Sequence, residues 1–120
     1  MEERHSEQRM MCADLVKIRI RERRRLLQQV ATLEEISPSG ACVQLDFPVE
    51  AGVEIDMICS TCRYKGRVRN CRFAGIGYDA DVQFDEGGSW RPEDFVPRHL
   101  LDIPAGVANS RKKWTGHQPL

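Results

Sequence analysis

A chain of 120 residues with 41% hydrophobic content suits one domain around one modest core and has no room for two. Lysine and arginine total 18, as do aspartate and glutamate, so no net field draws the molecule to nucleic acid or to a membrane, and any anion site must be local. The start, Met1-Glu2-Glu3-Arg4-His5, is too charged for a signal peptide, and no segment approaches the roughly 18 apolar residues of a membrane span.

A soluble cytoplasmic protein without membrane contact is therefore expected. Its five cysteines, an odd set with no export signal, are expected as reduced thiols. Glycine and proline recur at short intervals through the middle of the chain. That favours many short elements joined by tight turns over a few long helices.

Residues 1 to 11 show neither helical nor strand period and read as an extended leader. From Leu15 the chain alternates: Val16, Ile18 and Ile20 share one face, Lys17, Arg19 and Arg21 the other. This predicts a half-buried strand with a basic outer face. After the turn at Arg23, Arg24 and Arg25, the spacing of Leu26, Leu27, Val30, Ala31, Leu33 and Ile36 suits either a short helix or a strand, and is read here as a strand.

Ser37-Pro38-Ser39-Gly40 is a turn by composition, with Gly40 placed to accept a positive φ. A strand leaves it, in which Ala41, Val43, Leu45 and Phe47 alternate with Cys42, Gln44 and Asp46. Pro48 and Ala51-Gly52 break that strand, and Val53, Ile55 and Met57 resume the alternation. A less regular strand runs from about Tyr64 to Cys71, with Gly66 marking a bulge or a close backbone approach. Beyond the turn at Gly75 and Gly77, Tyr78, Ala80, Val82 and Phe84 alternate with Asp79, Asp81 and Gln83.

Ser89 is placed to cap a short helix carrying Trp90, Glu93, Asp94, Phe95 and Val96, which Pro97 ends. From Pro104 periodicity is lost, and a flexible tail is expected. The predicted fold is mainly β: a small antiparallel barrel of about six strands with a short C-terminal helix across one end. Leader, barrel and tail occupy residues 1–11, 12–103 and 104–120. The apolar faces of Val43, Leu45, Phe47, Val53, Ile55, Val82 and Phe84 point inward.

One connection combines several ligand-binding groups. Glu35-Ile36-Ser37-Pro38-Ser39-Gly40-Ala41 places a carboxylate, two hydroxyls and a glycine turn between strands. Such a turn can offer N–H and hydroxyl groups to a phosphate while the carboxylate accepts from a base edge. Taken alone it is an ordinary strand–turn–strand connection. The segment resembles the second motif of the PilZ family, Asp or Asn followed by x-Ser-x-x-Gly. That family's first motif, Arg-x-x-x-Arg, lies upstream in a leader that folds over the barrel. Here the leader reads Arg4-His5-Ser6-Glu7-Gln8-Arg9, so Arg9 matches the second arginine, His5 stands at the first, and Arg4 is displaced by one. Tyr78 to Phe84 resembles the family's late Gly-Val-x-Phe strand.

The resemblance implies a PilZ-type barrel that receives the bacterial second messenger cyclic di-GMP. Arg9 would stack on guanine and pair with phosphate, assisted by Arg4 or His5. Glu35 and Ser37 would contact base edge and phosphate, and Gly40 would keep the turn open. Three positions depart from the pattern: His5 for Arg, Glu35 for Asp or Asn, and Asp81 for Gly. A neutral imidazole does not reproduce a charged planar fork, and Asp81 adds negative charge near the phosphate. Weak binding is expected. The alternative is a PilZ-like barrel that no longer binds nucleotide and serves as an interaction module for a protein partner.

The pairs Arg19/Arg23 and Arg21/Arg25 also have Arg-x-x-x-Arg spacing but lie too close to Ser37, within a strand and its turn. They read as a solvated basic face. Nucleic-acid binding by this stripe is disfavoured by the zero net charge and by the lack of interleaved aromatics for base stacking. Cys59-Ser60-Thr61-Cys62 has zinc-chelating spacing, and Cys71 offers a third thiolate, but nothing in the sequence completes a tetrahedral set. No metal and no cofactor are expected. No nucleophile elbow, P-loop or His-Glu-x-x-His motif is present, and His5, His99 and His117 are scattered. A binding module rather than an enzyme is the expectation.

Overall fold

The computed structural model describes residues 8–101. Six antiparallel strands form a closed barrel in the order β1-β2-β3-β6-β5-β4, with β4 returning to β1. They are β1 (Met10–Glu22), β2 (Arg25–Ser37), β3 (Gly40–Leu45), β4 (Glu54–Ile58), β5 (Arg63–Phe73) and β6 (Tyr78–Phe84). Closure gives the central ladders partners on both sides, the usual answer to exposed strand edges.

The period-two reading places the core. Val16, Ile18 and Ile20 of β1 are buried, as are Leu33 of β2, Val43 and Leu45 of β3, and Val82 and Phe84 of β6. Of the expected core, Phe47 and Val53 are only partly buried, because β3 has ended at Leu45 and β4 starts at Glu54. Tyr64 and Phe84 stack with ring centroids 5.0 Å apart. Glycine allows the closest strand approach: a Cβ on Gly66 would collide with the carbonyl oxygen of Gln83, so close backbone approach explains this residue. The β5 bulge lies further along, between Val68 and Asn70.

The β2–β3 turn departs from the sequence reading in one respect. Gly40 does not have positive φ. Its requirement is steric, since a Cβ there would collide with the carbonyl oxygen of Val82 on β6.

After β6 the chain passes beneath the same turn. Where a short helix was expected, one hydrogen-bonded turn forms, with the amides of Asp94 and Phe95 donating to the Arg91 carbonyl at 2.9 and 3.4 Å. Pro97 has no N–H and disfavours helical backbone at Val96, so the turn does not propagate. Ser89 caps no helix, and its hydroxyl donates to the Pro38 carbonyl at 3.2 Å. Trp90 is 2% exposed, its amide donates to Pro38 O at 2.9 Å, and its indole N–H donates to Phe95 O at 2.8 Å. The C-terminal segment therefore plugs one end of the barrel and buttresses the β2–β3 turn. The leader before Gln8, with Arg4 and His5, and the expected tail from Pro104 lie outside the described residues. No helix among the described residues is long and apolar enough to cross a membrane.

Candidate functional site

The β3–β6 pair is bordered on each side by a bulged strand, with register shifts between Leu33 and Glu35 on β2 and between Val68 and Asn70 on β5. A bulge inserts one residue and resets which side chains face out. On β2 the extra residue is Glu34. Leu33 and Ile36 both reach the core, at 0% and 1% exposure, while Glu35 pairs across from Cys42. Strict alternation would have sent Glu35 inward with Leu33.

A cleft of about 790 Å³ opens over this region. One wall comes from Arg9, Glu35, Ser37 and the β2–β3 turn, the other from Arg69 and Asn70 of the β5 bulge and Asp81 of β6. The Arg9 guanidinium donates to Glu35 Oε1 at 3.0 Å, with the Arg9 side chain well exposed and Glu35 half-buried. The Ser37 hydroxyl is buried and donates to Gly40 O at 3.3 Å, closing the turn on itself. Its lone pairs remain available as acceptors. Arg72 holds the far wall, donating to Asn70 Oδ1 at 2.9 Å and to Asp81 Oδ2 at 3.3 Å. Arg69 lines the cleft with no ion-pair partner among the described residues. The cleft thus juxtaposes guanidinium groups, the hydroxyls of Ser37 and Ser39 and two carboxylates, a set able to pair with anionic oxygens and to accept from polar N–H groups.

Beside the cleft, ligand atoms of Glu34, Cys42 and Asp79 lie within 4.8 Å of one another. Burial, then the hydrogen bond and charge of Asp79, raises the Glu34 carboxyl above its ordinary range. The Cys42 thiol is pushed well up, first by burial and then by Asp81 and Asp79, and it donates to Glu34 Oε1 at 3.7 Å. Among the described residues this is the group with metal-ligand spacing. Cys59 and Cys62 sit elsewhere, at the β4–β5 turn, where Cys59 N donates to Cys62 O at 2.8 Å and Cys62 Sγ donates to Asp94 O at 3.2 Å. The five cysteines carry free thiols.

Of the site residues expected from sequence, Arg9, Glu35, Ser37 and Gly40 come together in the cleft. Arg4 and His5 lie outside the described residues. Arg19, Arg21, Arg23 and Arg25 belong to the β1–β2 hairpin and do not line it. Arg69 and Asn70 were not anticipated. In the sequence Arg69 looks like one more outward residue after Lys65 and Arg67, and only a strand-pairing shift, which no local pattern displays, brings it to the cleft. No protein-family model matches the chain, and no curated protein sequence matches it.

Proposed function

We propose that the chain is a PilZ-type binding and signalling module of the bacterial cytoplasm that takes cyclic di-GMP, weakly, in the cleft above the β2–β3 turn. The observation that carries this reading is the meeting of Arg9 with Glu35, Ser37 and Gly40 around one cavity of about 790 Å³, within the usual size of a small-molecule site. Residues of both family-like motifs, far apart in sequence, share that cavity. Arg9 would leave Glu35 to pair with phosphate, Glu35 would accept from a guanine edge, and Arg69 would supply a second cation.

A second reading, a nucleotide-free barrel that engages a protein partner, has its own support. Glu35 and Asp81 both line the cleft, and Arg9 is already engaged by Glu35 at 3.0 Å. A dianionic ligand would meet carboxylates there and would have to displace an existing pair.

Calorimetric titration with cyclic di-GMP separates the two. Losing a charged bidentate contact costs about 1.5–3 kcal/mol, roughly ten- to a hundredfold in affinity. Wild type should bind weakly and Arg9→Ala should abolish binding. His5→Arg with Glu35→Asp should strengthen it, and Asp81→Gly should add to that by removing a carboxylate and releasing Arg72. No titratable heat from the combined variant at high micromolar ligand would overturn the nucleotide reading and leave the interaction module.

A further inference from the structure

We infer that the free edge of β2, at the tip of the β1–β2 hairpin, is a docking site for an acidic, extended segment of a partner protein, which joins the sheet there as an added strand. The inference is independent of the nucleotide reading, because the edge does not line the cleft.

Pairing with β3 occupies β2 only from Thr32 onward. Residues from Arg25 to Ala31 pair with β1 alone. In place of a continuing ladder, the Asp46 amide donates to Gln29 Oε1 at 3.0 Å, and the chain turns away. The hairpin closes through Arg23 and Arg24, with Glu22 paired to Arg25. In such a hairpin the residues flanking a two-residue turn exchange hydrogen bonds, and every second residue thereafter does the same. Bonds to β1 therefore come from Arg25, Leu27 and Gln29. The N–H and C=O groups of Leu26, Gln28 and Val30 point to the open side, beyond the last β2–β3 pair of Thr32 with Gln44.

The side chains around this edge select the occupant. Leu26 and Val30 are 58% and 59% exposed, an aliphatic surface that an added strand would cover. Opposite Leu26, Gln28 and Val30 stand Arg21, Arg19 and Lys17. Arg23 and Arg24 crown the tip, and Arg23 holds a φ of 56°, a conformation that glycine adopts freely and arginine does not. No cation from Lys17 to Arg25 is ion-paired among the described residues. Charged edges repel like-charged strands, so a second copy of this hairpin is rejected. A strand rich in carboxylates is attracted. Its side chains would lie two strands from Lys17, Arg19 and Arg21, roughly 9–10 Å away backbone to backbone, a gap that a long basic and a long acidic side chain bridge together. An RNA strand is the poorer occupant, since the edge offers aliphatic rather than aromatic surface, and a bilayer would make no use of the unpaired backbone groups.

Fluorescence anisotropy of a short labelled peptide alternating glutamate and valine, titrated with the full chain, tests this. Saturable binding that weakens with salt is expected. Gln28→Pro removes an outward N–H, together with the side-chain oxygen that accepts from Arg19 Nε at 3.0 Å, while leaving the β1 ladder intact, and should weaken binding by roughly tenfold or more. Arg19→Glu with Arg21→Glu should abolish it, with circular dichroism verifying that each variant is folded. No saturable binding by wild type would overturn the inference. So would equal affinity of Gln28→Pro and wild type, since attraction would then be electrostatic without strand addition. Tighter binding of oligouridylate or of phosphatidylglycerol vesicles than of the peptide would also overturn it, as would a dimer in sedimentation that the Arg19/Arg21 reversal leaves intact.

Discussion

The Trp90 amide donates to the Pro38 carbonyl at 2.9 Å, joining the plug at the barrel end to the turn that forms one wall of the cleft. Pro38 and its neighbour Ser39 each accept from beyond their own hairpin, Ser39 O receiving Phe84 N at 2.8 Å. The turn is thus positioned by residues some fifty positions downstream, a separation apparent in the Ser89–Pro38 bond (|i−j| = 51).

Trp90→Phe keeps an aromatic ring but leaves Phe95 O without its indole donor, and should cost about 1–3 kcal/mol. Trp90→Ala should cost about 3–5 kcal/mol through the cavity it opens. Urea midpoints at unchanged m-value measure both. Faster amide exchange at Phe84 in the alanine variant would show that the turn loosens with the plug; unchanged exchange there would refute the coupling.

Gly40→Ala drives a methyl group into Val82 O, and the β3–β6 ladder must part to admit it. A loss of about 1–3 kcal/mol is expected, the usual cost of overpacking, read from chemical denaturation. Because φ at Gly40 is not positive, a stability near wild type would mean that the two strands separate easily.

Glu34 should make stability depend on pH with a definite sign. Its folded carboxyl is raised by burial and by Asp79, so the folded state binds the proton more tightly than the unfolded chain does. That contribution is fully present below the ordinary glutamate value of about 4.3 and is lost as pH rises through the higher folded value. Glu34→Gln should therefore gain stability relative to wild type as pH climbs from about 4 to 7. A difference between the two proteins that stays flat across paired urea titrations would contradict this.

The Cys12 and Cys59 thiols are each pushed up to about 12, chiefly by burial. An unfolded thiol ionises near 8.5, so stability from these groups is intact below that pH and declines as pH rises towards the folded value. Replacing both with alanine should flatten part of the wild-type decline between about pH 8.5 and 10. In the native protein both thiols should alkylate with iodoacetamide far more slowly than in denaturant, because the thiolate is the reactive form. Rapid native labelling of either would refute it.

Much of the barrel was legible in the sequence because alternation is a local property. Val16, Ile18 and Ile20 declare their shared face without reference to any other strand, as do Val82 and Phe84, and Arg9, Glu35, Ser37 and Gly40 could be named as candidates from the resemblance of their segments to two family motifs. The rest depends on strands meeting. The bulge that turns Glu35 outward, the shift that brings Arg69 to the cleft and the Val82 carbonyl that forbids a Cβ at Gly40 are relations of register between distant segments. Trp90 beneath Pro38, in place of a capped helix, is a further case. Local pattern decides which way a side chain faces along its own strand, whereas which side chains share a cleft is decided only when the strands pair and the barrel closes.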